Sequence, residues 1–190
     1  MILPVYAYGQ PILKRRAAQV DLSDESLPQL LEDMWATMYN ASGVGLAAPQ
    51  IGQSLRIFLV DTVQLESEEE GGQVPAGEGI KLAFVNAEIV EEDGDDWAYE
   101  EGCLSIPHIR GEVERPEGVT IRFQTPDGVA HERHFTGVNA RVVQHEYDHI
   151  EGVLFTERLK PLKRRLVSRK LDKIKRGQVD ADYRLKFVRG

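Results

Sequence analysis

Gln144-His145-Glu146-Tyr147-Asp148-His149-Ile150-Glu151-Gly152 contains the pattern H-E-x-x-H. On an α-helix, His145 and His149 lie one turn apart on the same face, so their imidazoles can grip a single metal ion. Glu146 follows the first of them and reaches a water on that ion without being a ligand. The spacing also occurs by chance on surface helices, so a third ligand has to decide between the two readings.

The common protease continuations fail. A metzincin carries a third histidine six residues after the second, where this chain has Phe155. A thermolysin-like site needs a downstream carboxylate. Beyond Gly152 the acids are Glu157, Asp172, Asp180 and Asp182, scattered among basic residues. The search therefore turns upstream, where Cys103 is the only cysteine.

Composition sets the frame. A chain of 190 residues can bury a substantial core as one domain. At 42% hydrophobic and 28% charged it reads as an ordinary soluble globular protein. One cysteine excludes an internal disulfide and points to a reducing compartment. The first ten residues have neither the basic start nor the apolar run of a signal peptide, and no segment reaches membrane-spanning length. The expectation is a cytoplasmic protein with no membrane or DNA partner. The net charge of -8 hides an asymmetry. From Glu157 to Gly190, thirteen Lys/Arg face four Asp/Glu, while the rest of the chain holds ten and twenty-seven. A basic tail on an acidic body fits either a polyanionic partner or a solvated helical face.

Taken in order, residues 1–22 read as irregular, broken by Pro4, Gly9 and Pro11. Ser23 or Asp24 caps a helix to about Asn40, with Leu27, Leu30, Leu31, Met34 and Met38 facing the core. Gly43–Gln50 is glycine- and alanine-rich, so it suits close approach of another chain or a ligand to the backbone. A tight buried connection with Gln50 as a satisfied amide is the plainer alternative. Strands are expected at Leu55–Asp61 and Ile80–Asn86, then an acidic turn at Glu91–Asp96. The acidic stretch 64–79 reads as a mobile exposed loop with no chemistry. Val119–Thr125 and Val129–Phe135 read as a strand pair. His131 and His134 point to opposite faces of the second strand and cannot chelate together; they and His108 read as surface residues. The metal helix spans about Val138–Ile150, and Gly152 ends it. Val138, Arg141 and Val142 share the histidine face and are expected to line the adjoining pocket. A last helix runs from Pro161 to Lys175, with Leu162, Leu166, Val167, Leu171 and Ile174 on one broad side. The tail from Gly177 reads as irregular.

Three stretches together resemble one family. G-x-G-x-A-A-x-Q at Gly43–Gln50, E-G-C-L-S at Glu101–Ser105 and Q-H-E-x-D-H at Gln144–His149 are similar to the three motifs of the peptide deformylases. They occur in order and match at every fixed position. The cysteine form of the second motif, with a helical C-terminus, resembles the bacterial type. The 64–79 segment is longer than that family's core.

The resemblance implies a compact α+β single domain over 1–190, with antiparallel strands around a central metal-binding helix and a C-terminal helix. It implies removal of the formyl group from the formylmethionine of nascent chains. Cys103, His145 and His149 would then be the metal ligands and Glu146 the general acid/base. Gln50 and the Leu104 backbone N–H would be the oxyanion donors. Val44, Val138 and Val142 would suit the methionine side chain, and backbone at Gly45 and Gly102 would pair with substrate as an added strand. The metal implied is Fe(II), with Zn, Ni or Co able to replace it, since a thiolate admits the softer ions. The implied partners are nascent formyl-Met peptides, and possible docking of the basic C-terminal helix on the ribosome follows from charge and resemblance together. Two other readings remain open: a general metalloprotease, and a structural-zinc module binding RNA.

Overall fold

The structure, a computed structural model, describes residues 1–67 and 73–188. In chain order the elements are β1 (Val5–Tyr6), α1 (Leu27–Asn40), β2 (Gly45–Ala47), β3 (Ile57–Asp61), β4 (Glu66–Ser67), β5 (Val74–Pro75), β6 (Lys81–Cys103), β7 (Ile106–Gln124), β8 (Ala130–Thr136), α2 (Gly137–Glu151), α3 (Phe155–Arg158), α4 (Pro161–Lys175) and β9 (Leu185–Lys186). Five strands form an antiparallel sheet in the order β2-β3-β6-β7-β8. This is the expected α+β architecture.

The unbroken apolar run Ile57-Phe58-Leu59-Val60 marks a strand covered on both faces. Phe58 and Val60 pack with Phe84, Val119 and Ile121 against Ala140, Val143 and Ile150 of α2. Ile57 and Leu59 pack on the other side against Leu31, Met34 and Met38 of α1. The sheet therefore holds α2 on one face and α1 on the other, as strand alternation requires. A third cluster joins Ile106, Ile109 and Val113 of β7 to Phe155, Leu159, Val167, Leu171 and Ile174.

Several local expectations need correction. Glu91–Asp96 is not a turn: β6 runs through it, with register shifts that include one between Asp93 and Asp96 and with Gly94 at φ 78°. Such a bulge looks like a turn locally because glycine and acids accompany both. The expected strand pair is present, but its first member, Val119–Thr125, is the far end of the much longer β7, which pairs there with β8. Leu162 and Leu166 are 72% and 68% exposed, so α4 buries only the narrower stripe Val167, Leu171 and Ile174. Residues 1–22 and the tail are not wholly irregular, because β1 and β9 pair in parallel. Helix α1 starts at Leu27, after Asp21 and Asp24 accept turn hydrogen bonds from Ser23 and Ser26. His131 is half-buried, stacked on Phe123. Of the 64–79 segment, 68–72 lie outside the described residues. The remainder includes the short parallel pair β4–β5.

Candidate metal centre and active site

The turn between β6 and β7 hangs over helix α2. Strand alternation puts Trp97, Tyr99, Glu101 and Cys103 on one side of β6. The single ligating atoms that Cys103, His145 and His149 can offer all lie within 4.8 Å of one another. Cys103 Sγ is 3.3 Å from His149 Nε2. A soft thiol and two imidazoles are a fitting donor set for a divalent transition metal, and three ligands leave room for a further coordination position.

Of the three candidate ligands, His145 is held from behind. Glu101 Oε2 lies 2.9 Å from His145 Nδ1. An ionised carboxylate only accepts, so Nδ1 carries the hydrogen and Nε2 is left for the metal. Glu101 in turn accepts from Arg115 Nε (2.7 Å) and Nη2 (3.0 Å), and from Arg141 Nη1 (3.1 Å). Arg115 Nη1 also reaches Asp148 Oδ2 at 2.8 Å, and Asp148 takes Arg158 Nε at 2.6 Å. Asp148 thus acts through Arg115 and Glu101, two links behind His145. Burial alone would raise the Glu101 pKa, but the hydrogen bonds from His145 and Arg115 outweigh it and hold the carboxyl well below its usual range. Burial would likewise suppress protonation of His145, yet Cys103 and Glu101 outweigh it and push its pKa well up. Glu101 thus places negative charge at the Nδ1 edge of His145.

Glu146 is buried, and its Oε2 has no hydrogen-bond partner among the described residues. Burial, which Glu101 reinforces and His145 opposes, pushes its pKa up to about 7. Gly45 is what makes room for it: a Cβ there would stand 2.4 Å from Glu146 Oε1. Gln50 Oε1 accepts from the Ala47 N–H at 2.8 Å, which aims Nε2 toward Cys103 Sγ (3.4 Å) and Ser105 Oγ (3.3 Å). The Gly43–Gln50 segment is thus a largely buried connection with a satisfied Gln50 amide, and Gly43, Val44, Gly45 and Gln50 line the cavity beside it.

A cavity of about 710 Å³ opens onto these groups. Val44, Gly45, Gln50, Gly102, Cys103 and Leu104 line it. So do Val142, His145 and Glu146 from α2, with Arg141. Val138 does not line it; it packs into the cluster between α2 and the sheet. It shares a helical azimuth with His145 but sits about 10 Å further along the axis, at 1.5 Å per residue. Leu65 and Gln73 also line the cavity, so the acidic segment is not remote from the site. Sequence reasoning gave no role to Arg115 or to the tail residue Tyr183, whose hydroxyl donates to the Leu104 carbonyl at 2.7 Å. Burial, with Cys103 and Asp182 adding to it, raises the Tyr183 pKa, so the phenol stays a donor.

The family model for polypeptide deformylase matches residues 2–165. The chain belongs to the polypeptide deformylase family. Among curated relatives, the peptide deformylase of Christiangramia forsetii is 44% identical over 98% of this chain and 96% of its own. That of Flavobacterium johnsoniae is 46% identical over 99% and 97%. The crystal structure of a peptide deformylase from Legionella pneumophila superposes with a TM-score of 0.79 at 42% identity, covering 94% of this chain and 98% of that one. Membership of this deformylase family favours neither the general protease nor the structural-zinc reading. The family is metal-dependent, and this member brings one cysteine and two histidines together to match. No helix among the described residues is long and apolar enough to cross a membrane.

Proposed function

We propose that this chain hydrolyses the formyl group from the N-terminal formylmethionine of newly synthesised proteins and releases formate. The observation that carries the reading is the convergence of Cys103, His145 and His149 beside Glu146 at one end of an open cavity, in a deformylase-family chain. Cys103, His145 and His149 would hold a divalent ion, which would supply Lewis acidity and make the attacking water more acidic, its pKa falling from ~15.7 toward ~7. Every other task falls to the protein. Glu146 accepts the water's proton and passes it to the departing nitrogen. Gln50 Nε2 and the Leu104 N–H donate to the developing oxyanion, each worth roughly 3 kcal/mol when aligned. Val44 and Val142 offer apolar wall to the methionine side chain, and the backbone at Gly45 and Gly102 offers strand-like pairing to the peptide.

Fe(II) is the proposed resident ion, because a thiolate with two imidazoles suits it, and Zn, Ni and Co fit the same donors. Elemental analysis of anaerobically purified protein tests this. Activity is tested with formylated and unformylated Met-peptides side by side; equal turnover of both defeats the reading. A cytoplasmic location follows from the substrate proposed.

The basic face of α4 is the proposed contact with the ribosome. Arg165, Arg169 and Lys173 are exposed and four residues apart, so they form one stripe. Reversing these three charges should abolish salt-sensitive co-sedimentation with ribosomes. Undiminished co-sedimentation would rule the contact out.

A further inference from the structure

The tail beyond α4 lies outside the segment that the deformylase family model matches, yet it forms a wall of the cavity through Ala181, Asp182 and Tyr183. Two hydrogen bonds tie it to the β6–β7 tip. Tyr183 Oη donates to the Leu104 carbonyl at 2.7 Å, and His108 Nε2 lies 2.7 Å from the Asp180 carbonyl. A carbonyl only accepts, so His108 is the donor. His108 sits at φ 61°, a left-handed conformation seldom adopted by a residue with a side chain.

The tail is tied on its other side as well. The Val5 N–H donates to the Arg184 carbonyl (2.9 Å) and the Ala7 N–H to the Lys186 carbonyl (3.0 Å). The next N–H along, that of Tyr8, donates to the Ser105 carbonyl at 2.8 Å. The turn Leu104–Ser105 is thereby gripped by two segments that also grip each other. On its far side, Leu104 packs so closely on Gly43 that a Cβ there would stand 2.8 Å from Leu104 Cδ1.

We propose that Tyr183 is a positioning residue of the active site. By holding the Leu104 carbonyl it fixes the short turn that carries both Cys103 Sγ and the Leu104 N–H. This rests on the deformylase reading above, in which that N–H meets the oxyanion. Without the hydroxyl, the backbone gains freedom about the Leu104 Cα, the hinge between the peptide that carries the held carbonyl and the Cys103–Leu104 peptide that carries the N–H, and the N–H loses alignment in the transition state more than in the ground state.

Tyr183→Phe removes only the hydroxyl and keeps the cavity wall. With equal metal content in both proteins, kcat on a formyl-Met tripeptide should fall about 3- to 10-fold, the worth of one ordinary hydrogen bond. KM should stay within about twofold. Amide hydrogen exchange should quicken in the peptide spanning Gly102 to Ile106, with protection elsewhere unchanged. Unchanged kcat and exchange would overturn the proposal, as would a fall in kcat that merely tracks lost metal or lost folded protein. A parent protein with no deformylase activity would instead defeat the functional reading, while the exchange measurement still decides whether Tyr183 holds the turn.

Discussion

Glu101 holds the Nδ1 hydrogen of His145 at 2.9 Å, while two buried arginines hold Glu101. In the proposed metal site, that link would orient the ligand His145 and raise its basicity. Glu101→Gln keeps the shape but removes the charge. Metal affinity, measured by competition with a chromophoric chelator, should fall roughly 10- to 100-fold.

Arg115 joins Glu101 to Asp148 in a setting almost without solvent. Arg115→Ala leaves two buried carboxylates short of a partner. The loss expected is about 3–5 kcal/mol of folding stability. Denaturant unfolding of the metal-free protein measures it without interference from metal binding.

Gly45 sits where any side chain would strike Glu146. Gly45→Ala should therefore displace the carboxylate by a fraction of an ångström or more. An activity loss of about 10²-fold is expected, since misplacement of about 1 Å costs on that order. Metal content should be unchanged, which separates this variant from damage to the ligands.

Glu146 itself should be dispensable for metal binding, because the proposed mechanism gives it the water's proton and leaves the donor set to Cys103, His145 and His149. Glu146→Ala should keep its metal by elemental analysis and lose about 10²–10⁴ in kcat. Loss of metal instead would mean that Glu146 is a ligand.

The two sides of α4 should respond differently. Leu171→Ala opens a buried contact and should cost about 2–5 kcal/mol. Leu166→Ala, at a 68% exposed position, should stay within about 0.5 kcal/mol. Equal effects in thermal unfolding would contradict the burial pattern of the helix.

Local spacing by itself determined much of this protein. A helix carrying His145 and His149 one turn apart follows from 3.6-residue periodicity, which neighbouring residues set among themselves. The doubly covered strand at Ile57–Val60 and the stop at Gly152 are local in the same sense. Arg115 carries a further signal of this kind. In β7, burial alternates through Ile109, Gly111, Val113 and Arg115, which places an arginine in the inward phase. A buried guanidinium demands a buried carboxylate. Glu101, in phase with Cys103 on β6, meets that demand.

Tertiary structure decided what spacing could not reach. Cys103 is 42 positions before His145, and only the pairing of β6 with β7 brings their turn over α2. Val138 and Val142 share a helix face, yet only Val142 lines the cavity while Val138 packs against the core. Tyr183 reaches Leu104 from 79 residues away because β9 pairs with β1 beside that turn. Periodicity reports which way a side chain points. What it meets depends on chain segments whose approach is set by burial across the whole core, and no local pattern carries that information.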